Sequence, residues 1–424
     1  MLDIKFIREN RDLVEMAAQK KRMSVDIGRL IELDDKRLDL QKSIEGKRAR
    51  QNEVSREIPT ADAERRATLL AEMGGLKEEM KAEEDAHAAI VAEWREIMLQ
   101  VPNVPDISVP DGADDSANLE VSTWGEPTKF SFAPKSHVDL CDSLRLADFE
   151  AGTRVAGFRG YFLTGWGARL EHAIVSFAVD HLSAKGYRMM RVPSLVRRET
   201  LLGTGYLPGG EEDLYRTQDN DYLAGTGEVG AMSYFAGQTL DLAKLPVKVI
   251  AISPCFRREA GSHGKDTRGL IRVHEFWKLE QIILCEANHE ESVRLHEELR
   301  ENAEEILRAL ELPYHAVVNC GGDLGQGQVK KYDLEAWVPS EGKYRETHSA
   351  SYFHDFQTRR LQIKYVDAAG DRRLAHSLNN TAIASPRILV PFLECHQQED
   401  GSVRVPEALR PYLGGVEFIR PEEK

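Results

Sequence analysis

The run Cys255-Phe-Arg-Arg-Glu-Ala-Gly-Ser-His-Gly-Lys-Asp-Thr-Arg-Gly-Leu-Ile-Arg-Val-His-Glu-Phe276 joins two apolar segments, Val247–Ile252 and Val273–Cys285. Both segments read as strands, and the second alternates in the way that suits a central sheet. The loop between them carries Gly261, Gly264 and Gly269, with Arg257, Arg258, Lys265, Arg268 and Arg272 set around a few acids. So much cationic charge on one tight hairpin is what a polyphosphate ligand needs, because guanidinium groups fork onto phosphate oxygens. The hairpin is not a P-loop, since the order G-x-x-x-x-G-K-[ST] is absent. Charge alone leaves a second reading open, a surface hairpin with ordinary ion pairs.

Outward from the hairpin, the chain mixes elements. The spacing predicts a helix over Arg169–Ala184 with Gly186 as its C-cap. A strand over Tyr187–Val192 follows, ended by Pro193. Two further amphipathic helices are expected, Asn288–Leu310 and Thr381–Gln397. The regular βαβ alternation of a parallel sheet is missing, which points to an α+β domain on an antiparallel sheet flanked by helices.

The first hundred residues differ. From Ile27 to Gln100 there is one proline, Pro59, and apolar residues recur at heptad spacing. One seam reads Leu30, Leu33, Arg37, Leu40, Ile44. The other reads Leu69, Met73, Leu76, Met80, then Ile90, Trp94, Ile97 after a break at Glu83 and His87. Spacings of three and four place each set on one helical face. With turn chemistry at Ile58–Asp62, the natural reading is a long antiparallel coiled-coil arm at about 27–100, each helix on the order of 50 Å long. Its first helix carries Lys36, Arg37, Lys42, Lys47, Arg48, Arg50 and Arg56. Solvated i,i+4 pairs account for these charges, and so does a strip of phosphate contacts. The Pro-, Asp- and Gly-rich stretch from Val101 to Trp124 reads as a linker.

The bulk numbers set limits. A chain of 424 residues suggests about two domains. A net charge of −14 argues against a general nucleic-acid binder, so any nucleic acid must meet a local basic surface. The five cysteines are scattered and never spaced C-x-x-C, so neither a disulfide framework nor zinc is expected. The N-terminus lacks a signal peptide and no run approaches the ~20 apolar residues of a membrane span. A cytoplasmic protein without membrane partners is expected.

The form F-R-x-E-A-G-S-x-G-K-D-T-R-G-L-x-R-x-H-x-F resembles motif 2 of class II aminoacyl-tRNA synthetases, and of their bacterial-type seryl branch in particular. The resemblance implies that Arg257 holds the ATP α-phosphate and the activated carboxylate. Glu259 and the backbone near Val273 would meet adenine, with Phe276 stacking on it. Leu378-Asn-Asn-Thr-Ala-Ile-Ala-Ser-Pro-Arg387 resembles motif 3, a strand leading to an arginine for the γ-phosphate. Arg345-Glu-Thr-His-Ser349 is similar to the family's E-x-x-S stretch, in which Glu346 and Ser349 would hold Mg²⁺ on the ATP phosphates. His348 departs from the commoner E-I-S-S form and reads as a tolerated neighbour. Thr226-Gly-Glu228 resembles the T-x-E element for serine, with Gly227 in place of the usual Ala. Glu280, Asn379, Thr381 and again Arg257 would complete the serine site. Gly186-Tyr-Arg-Met-Met-Arg-Val-Pro193 resembles motif 1, the family's dimer interface.

Taken together, the resemblance covers essentially the whole chain. It implies a tRNA-binding domain at 1–104, a linker at 105–129 and a class II catalytic domain at 130–424. The implied reaction activates L-serine with ATP and Mg²⁺, then esterifies it to tRNA(Ser) and tRNA(Sec), in a homodimer. Lys42, Lys47, Arg48 and Arg50 would meet the tRNA. Two alternatives remain: a synthetase-like ligase that loads an amino acid onto a carrier protein, and a non-catalytic coiled-coil interaction protein. Intact Arg257, Glu280, Glu346 and Arg387 argue against the second, and an exchange assay would decide it. Arg257→Ala is expected to abolish ATP–pyrophosphate exchange with the fold intact, and near-normal exchange would overturn the resemblance.

Overall fold

Period-two alternation and long heptad runs fold into separate units. The structure, a computed structural model, describes residues 1–261, 264 and 266–421; Lys265 of the basic loop lies outside them. One unit comprises residues 1–19 and 23–102, the other 20–22 and 103–424.

The first unit is helical. Helices α1 (Ile4–Glu9) and α2 (Arg11–Lys20) precede α3 (Ile27–Glu57) and α4 (Ala63–Gln100), which form the arm. Asp26 and Asp62 cap α3 and α4, each accepting a backbone N–H three residues on. Leu30, Leu33, Ile44, Val54, Leu69, Met80 and Met98 are buried along the seam. At the polar break, Glu83 accepts hydrogen bonds from Ser43 Oγ at 3.0 Å and Lys47 Nζ at 3.1 Å. Near the base, buried Asp34 is shared by Arg8 at 3.1 Å and Arg37 at 2.7 Å.

The second unit is built on a sheet of eight strands: β1 (Leu119–Trp124), β2 (Arg188–Arg191), β3 (Val247–Phe256), β4 (Glu275–Cys285), β5 (Tyr314–Val318), β6 (Lys330–Val338), β7 (Lys343–Tyr352) and β8 (His376–Ser385). Their order is β1-β5-β6-β7-β8-β4-β3-β2. Every pairing is antiparallel except β2 with β3. Part of the stretch expected as a linker is therefore folded, since Leu119–Trp124 is an edge strand of the sheet.

Alternation on β4 sorts the two faces. Leu279, Ile283 and Cys285 enter the main core with Leu378 and Ile383 of β8. That core is closed by α5 (Gly165–Ala184), α7 (His289–Ala309) and α8 (Leu389–His396), with α6 (Gly227–Tyr234) on the other side. The intervening residues Phe276, Lys278, Glu280 and Ile282 point to the opposite face. The helix expected over Thr381–Gln397 is corrected: Thr381–Ser385 finishes β8, and the helix begins only at Leu389. A short apolar run such as Thr-Ala-Ile-Ala has no period that separates strand from helix, and here a full ladder with β4 decides it. Among the described residues no helix is long and apolar enough to cross a membrane.

Buried histidines tie helices to the sheet. His296 on α7 directs Nε2 to the Ala350 carbonyl at 2.9 Å, and His396 on α8 directs Nε2 to the Leu310 carbonyl at 2.8 Å. Burial pushes both down to about 4. An unfolded histidine binds its proton near pH 6.5, before the folded one does. Their stabilisation is thus complete above pH 6.5 and is lost as pH falls toward 4. His296→Gln is expected to flatten the fall of the urea midpoint between pH 6.5 and 4. An unchanged slope would mean that folded His296 already takes a proton in that range.

Candidate active site

The face of the sheet opposite the main core carries the polar residues. Arg257 follows Cys255 by two, and Cys255 pairs with Phe276, so both stand above the same face. The Arg257 guanidinium lies 5.3 Å from the Phe276 ring centre, and its Nε donates to the Gly225 carbonyl at 3.4 Å. Arg257, Glu259, Val273, Phe276, Lys278, Glu346, Thr381 and Arg387 all line one cavity. It opens into a polar basin of about 1120 Å³ that reaches Lys331, Asp333 and Glu335. Glu259, at φ 56°, is held by Arg272 at 2.5 Å. Gly269, at φ 88°, admits no side chain, because a Cβ there would collide with the His137 ring. That ring accepts the Leu270 N–H at 3.3 Å and faces Glu394 with Nδ1 at 3.0 Å, so it anchors the loop's exit.

Two β-bulges shape the site. On β7, Leu334 pairs with His348 and Glu335 with Glu346, which leaves Thr347 as an extra residue. A spacing of three would normally place Glu346 and Ser349 on opposite faces; the bulge returns both to the cavity face, opposite Glu335 and Asp333. On β8, Leu279 pairs with Ile383 and Glu280 with Thr381, so Ala382 is the extra residue. This sets Thr381 beside Glu280, with Thr381 Oγ1 donating to Glu280 Oε2 at 3.5 Å. Asn379 is buried two residues back on the same face as Thr381.

Charges in the cavity support one another. Arg387 donates to the Ile271 carbonyl at 3.1 Å and to the Glu346 carbonyl at 3.3 Å, and sits 3.9 Å from the Glu346 carboxylate. Partial desolvation in the cavity opposes the charge on Glu346, whose side chain is half exposed, but Arg387, Lys331 and Arg257 together keep it below the usual carboxylate range. Asp333 accepts from Asn319 at 2.7 Å and pairs with Lys331 at 3.1 Å through Oδ2, while its buried Oδ1 has no partner. Burial raises Asp333 to about 6.

At the other end, Thr226 caps α6, its Oγ1 accepting the Glu228 N–H at 3.4 Å. Glu228 is fully buried and accepts from Tyr206 at 2.9 Å and Gln357 at 2.6 Å. Burial, and the nearby Glu280 charge, raise its pKa. At Gly227 a Cβ would lie 3.2 Å from Ser253 Oγ and 3.3 Å from Ala251 Cβ, tight but within reach of a small adjustment.

Several residues of the site are invisible to motif reading. Lys278 is buried and pairs with Glu280 at 2.8 Å. The signal was present, a Lys and a Glu two apart on an otherwise apolar strand. Tyr206 and Gln357 left no such mark, because their partner Glu228 is distant in sequence. Arg258 is exposed, and among the described residues no side-chain hydrogen bond or ion pair involves it.

On the arm, Lys42 is exposed. Lys47 is half-buried in the seam, paired with Glu79 at 2.6 Å. Arg48 pairs with Glu84 at 2.8 Å and Arg50 with Glu72 at 2.7 Å, both across to α4.

The Lys278–Glu280 pair gives a stability test. Removing one partner leaves a buried charge, which costs about 3 kcal/mol. Lys278→Met is expected to lose that much in urea unfolding, and Lys278→Met with Glu280→Met to regain most of it. A double variant no more stable than the single would show that Glu280 is not the compensating charge.

Comparison with known proteins identifies the family. Residues 1–105 match the family described as the seryl-tRNA synthetase N-terminal domain, and residues 213–396 match the tRNA synthetase class II core domain (G, H, P, S and T). A serine–tRNA ligase of Deinococcus radiodurans is 47% identical over 99% of both chains, and one of Acidithiobacillus ferrooxidans 42% identical over 99% of this chain and all of the relative. The crystal structure of seryl-tRNA synthetase from Pyrococcus horikoshii complexed with ATP superposes with a TM-score of 0.91, at 36% identity over the whole of both chains. The chain belongs to the seryl-tRNA synthetases, the class II ligases that join serine to tRNA.

Proposed function

We propose that the cavity face of the sheet activates serine with the residues named above in distinct roles. Arg257 and Arg387 hold the α- and γ-phosphates of ATP, with Arg257 also on the serine carboxylate. Glu259 and the backbone at Val273 meet adenine, which stacks on Phe276. Thr226, Glu228, Glu280, Asn379 and Thr381 enclose serine. The carrying observation is that Arg257, Phe276, Glu280, Glu346 and Thr381, from three strands and the loop, stand on one face, with both bulges placed where the face needs them.

Glu346 and Ser349 offer hard oxygen donors on that face, and Asp333 keeps a buried oxygen without a partner beside them. Among the described residues no three acidic, histidine or cysteine side chains form a ready metal cage. That donor set fits Mg²⁺, which keeps its waters and leans on substrate phosphates. Mg²⁺ supplies charge neutralisation to the phosphate oxygens when bound.

In the first step the serine carboxylate attacks the α-phosphorus and pyrophosphate leaves. Arg257 and Arg387 fix the phosphates in line and meet the developing charge, so that positioning and electrostatics supply the rate. In the second, the 3′-hydroxyl of the tRNA takes the seryl group and AMP leaves. The Glu280 carboxylate and Thr381 hydroxyl are placed to bind the serine hydroxyl. A site built to hydrogen-bond a hydroxyl rejects alanine and glycine, because its own buried groups would be left unpaired. Lys278 and the Tyr206–Gln357 pair hold Glu280 and Glu228 in place.

We propose further that residues 1–104 serve tRNA(Ser), and tRNA(Sec) through the same arm, and that 130–424 form the catalytic domain, joined to them by 105–129, of which Leu119–Trp124 adds the edge strand β1 to the catalytic sheet. Exposed Lys42 supports direct phosphate contact, whereas Lys47, Arg48 and Arg50 meet tRNA from within ion pairs. The enzyme works as a homodimer across the motif 1 region, where edge strand β2 exposes Met189 and nearby Leu195. A cytoplasmic site of action is supported by five buried cysteines, all free. Deleting about residues 30–98 is expected to leave pyrophosphate exchange with serine and to remove charging of tRNA. Unchanged charging by the truncated enzyme would refute the role of the arm.

A further inference from the structure

Strands β7 and β8 pair over a short stretch, Ala350–Tyr352 against Leu378–Asn380. Past it the cavity opens between them, lined by Glu346 and Thr347 from one strand and Thr381, Ala384 and Ser385 from the other. Each strand carries its bulge at this opening, Thr347 on β7 and Ala382 on β8. His348 bridges the two. Its Nε2 lies 2.9 Å from the Ala382 carbonyl, and its Nδ1 lies 2.8 Å from the Thr347 hydroxyl. A carbonyl only accepts, so Nε2 carries the hydrogen and Nδ1 offers its lone pair to Thr347. The same hydroxyl is 3.2 Å from the Leu334 carbonyl on β6. His348 pairs across β6 with Leu334, a core residue, and is buried on the helix side of the sheet, out of reach of substrate.

We propose that His348 is a positioning residue that couples the two halves of the active site. It fixes the strand bearing Glu346 and Ser349 against the strand bearing Thr381, which in turn faces Glu280. The extra residue of one bulge is tied to the extra residue of the other through a single imidazole. Spacing between the phosphate end and the serine end is then set by one side chain in the second layer. The proposal rests on the roles given to those four residues above.

The test is ATP–pyrophosphate exchange by the full chain, with KM for serine and for MgATP measured separately. Ser349→Ala should raise KM for ATP alone and Thr381→Ala KM for serine alone. Loss of that pattern would remove the underlying assignment of roles, whatever His348 does. With the pattern intact, His348→Leu is expected to raise both constants together by about fivefold, the size of one lost buried hydrogen bond. His348→Gln, whose amide N–H still reaches the Ala382 carbonyl, should return both to within about twofold of the parent. His348→Asn, too short to reach it, should behave as Leu does and serves if the Leu variant does not fold. A change in neither constant, a change in one alone, or no rescue by Gln overturns the proposal. So does a loss confined to the number of active sites, titrated by adenylate formation, with both KM values kept, because that is what general loosening of the fold would give.

Discussion

A strand shows every second residue to one face, yet the cavity face of this sheet carries two residues three apart on β7. The Thr347 bulge resolves that conflict, bringing Glu346 and Ser349 to the same side. The Ala382 bulge does the corresponding work on β8, where Thr381 must stand opposite Glu280 while Ile383 stays in the core. Without either insertion the polar and apolar sets of one strand would trade faces beyond that point. The sheet is therefore two registers joined inside single strands, a core register and a site register. The cavity lies where they meet.

The same division explains how so many charges stand within one fold. Lys278 and Glu280 lie on the site face of β4, between Phe276 and Ile282, and neutralise each other where water is scarce. Arg387 faces Glu346 and Lys331 faces Asp333, each pair within 4 Å, while buried Glu228 is held by the neutral donors Tyr206 and Gln357. Arg257 differs: its visible contacts are a carbonyl at 3.4 Å and an aromatic face. Such weak engagement leaves guanidinium hydrogens uncommitted, as the phosphate role proposed above for Arg257 requires. Preorganised donors of this kind act without rearrangement when charge develops on a phosphate.

Much of this was legible in the sequence, for a physical reason. Motif 2 is contiguous because a hairpin is a local structure, so its glycines and arginines sit together in the chain as they do in space. The arm was legible because a heptad seam repeats the same local rule for many turns. Thr381–Ser385 was misread as helix because pairing with β4 is a long-range fact. Strand β1 was missed for a related reason: residues rich in Pro, Asp and Gly surround it, and only β5, almost two hundred residues later, gives it a partner. The bulges could not be read either, although the E-x-x-S spacing implies one once a strand is assumed. His348 was taken as a tolerated neighbour, since its partners, a carbonyl on another strand and an adjacent hydroxyl, carry no sequence signal.

The arm poses an electrostatic question that the net charge of −14 sharpens. An acidic chain that takes an anionic polymer as substrate must keep local cations free of its own carboxylates. On the two helices of the arm the two demands fall to different residues. Lys47, Arg48 and Arg50 reach across to Glu79, Glu84 and Glu72 and hold the two helices in register. Among the described residues no ion pair involves Lys36, Lys42, Arg56 or Arg66, and all four are exposed. Lys42 and Arg56 lie about four turns apart and thus near one side of α3. Exposed pairs are individually weak, about 0–1 kcal/mol each, and yield readily to a phosphate that offers more charge. Cations of the first kind set the shape of the arm, and those of the second give it a positive edge. The tRNA role proposed above for the arm calls for both, because phosphate contacts orient a nucleic acid without reading its bases.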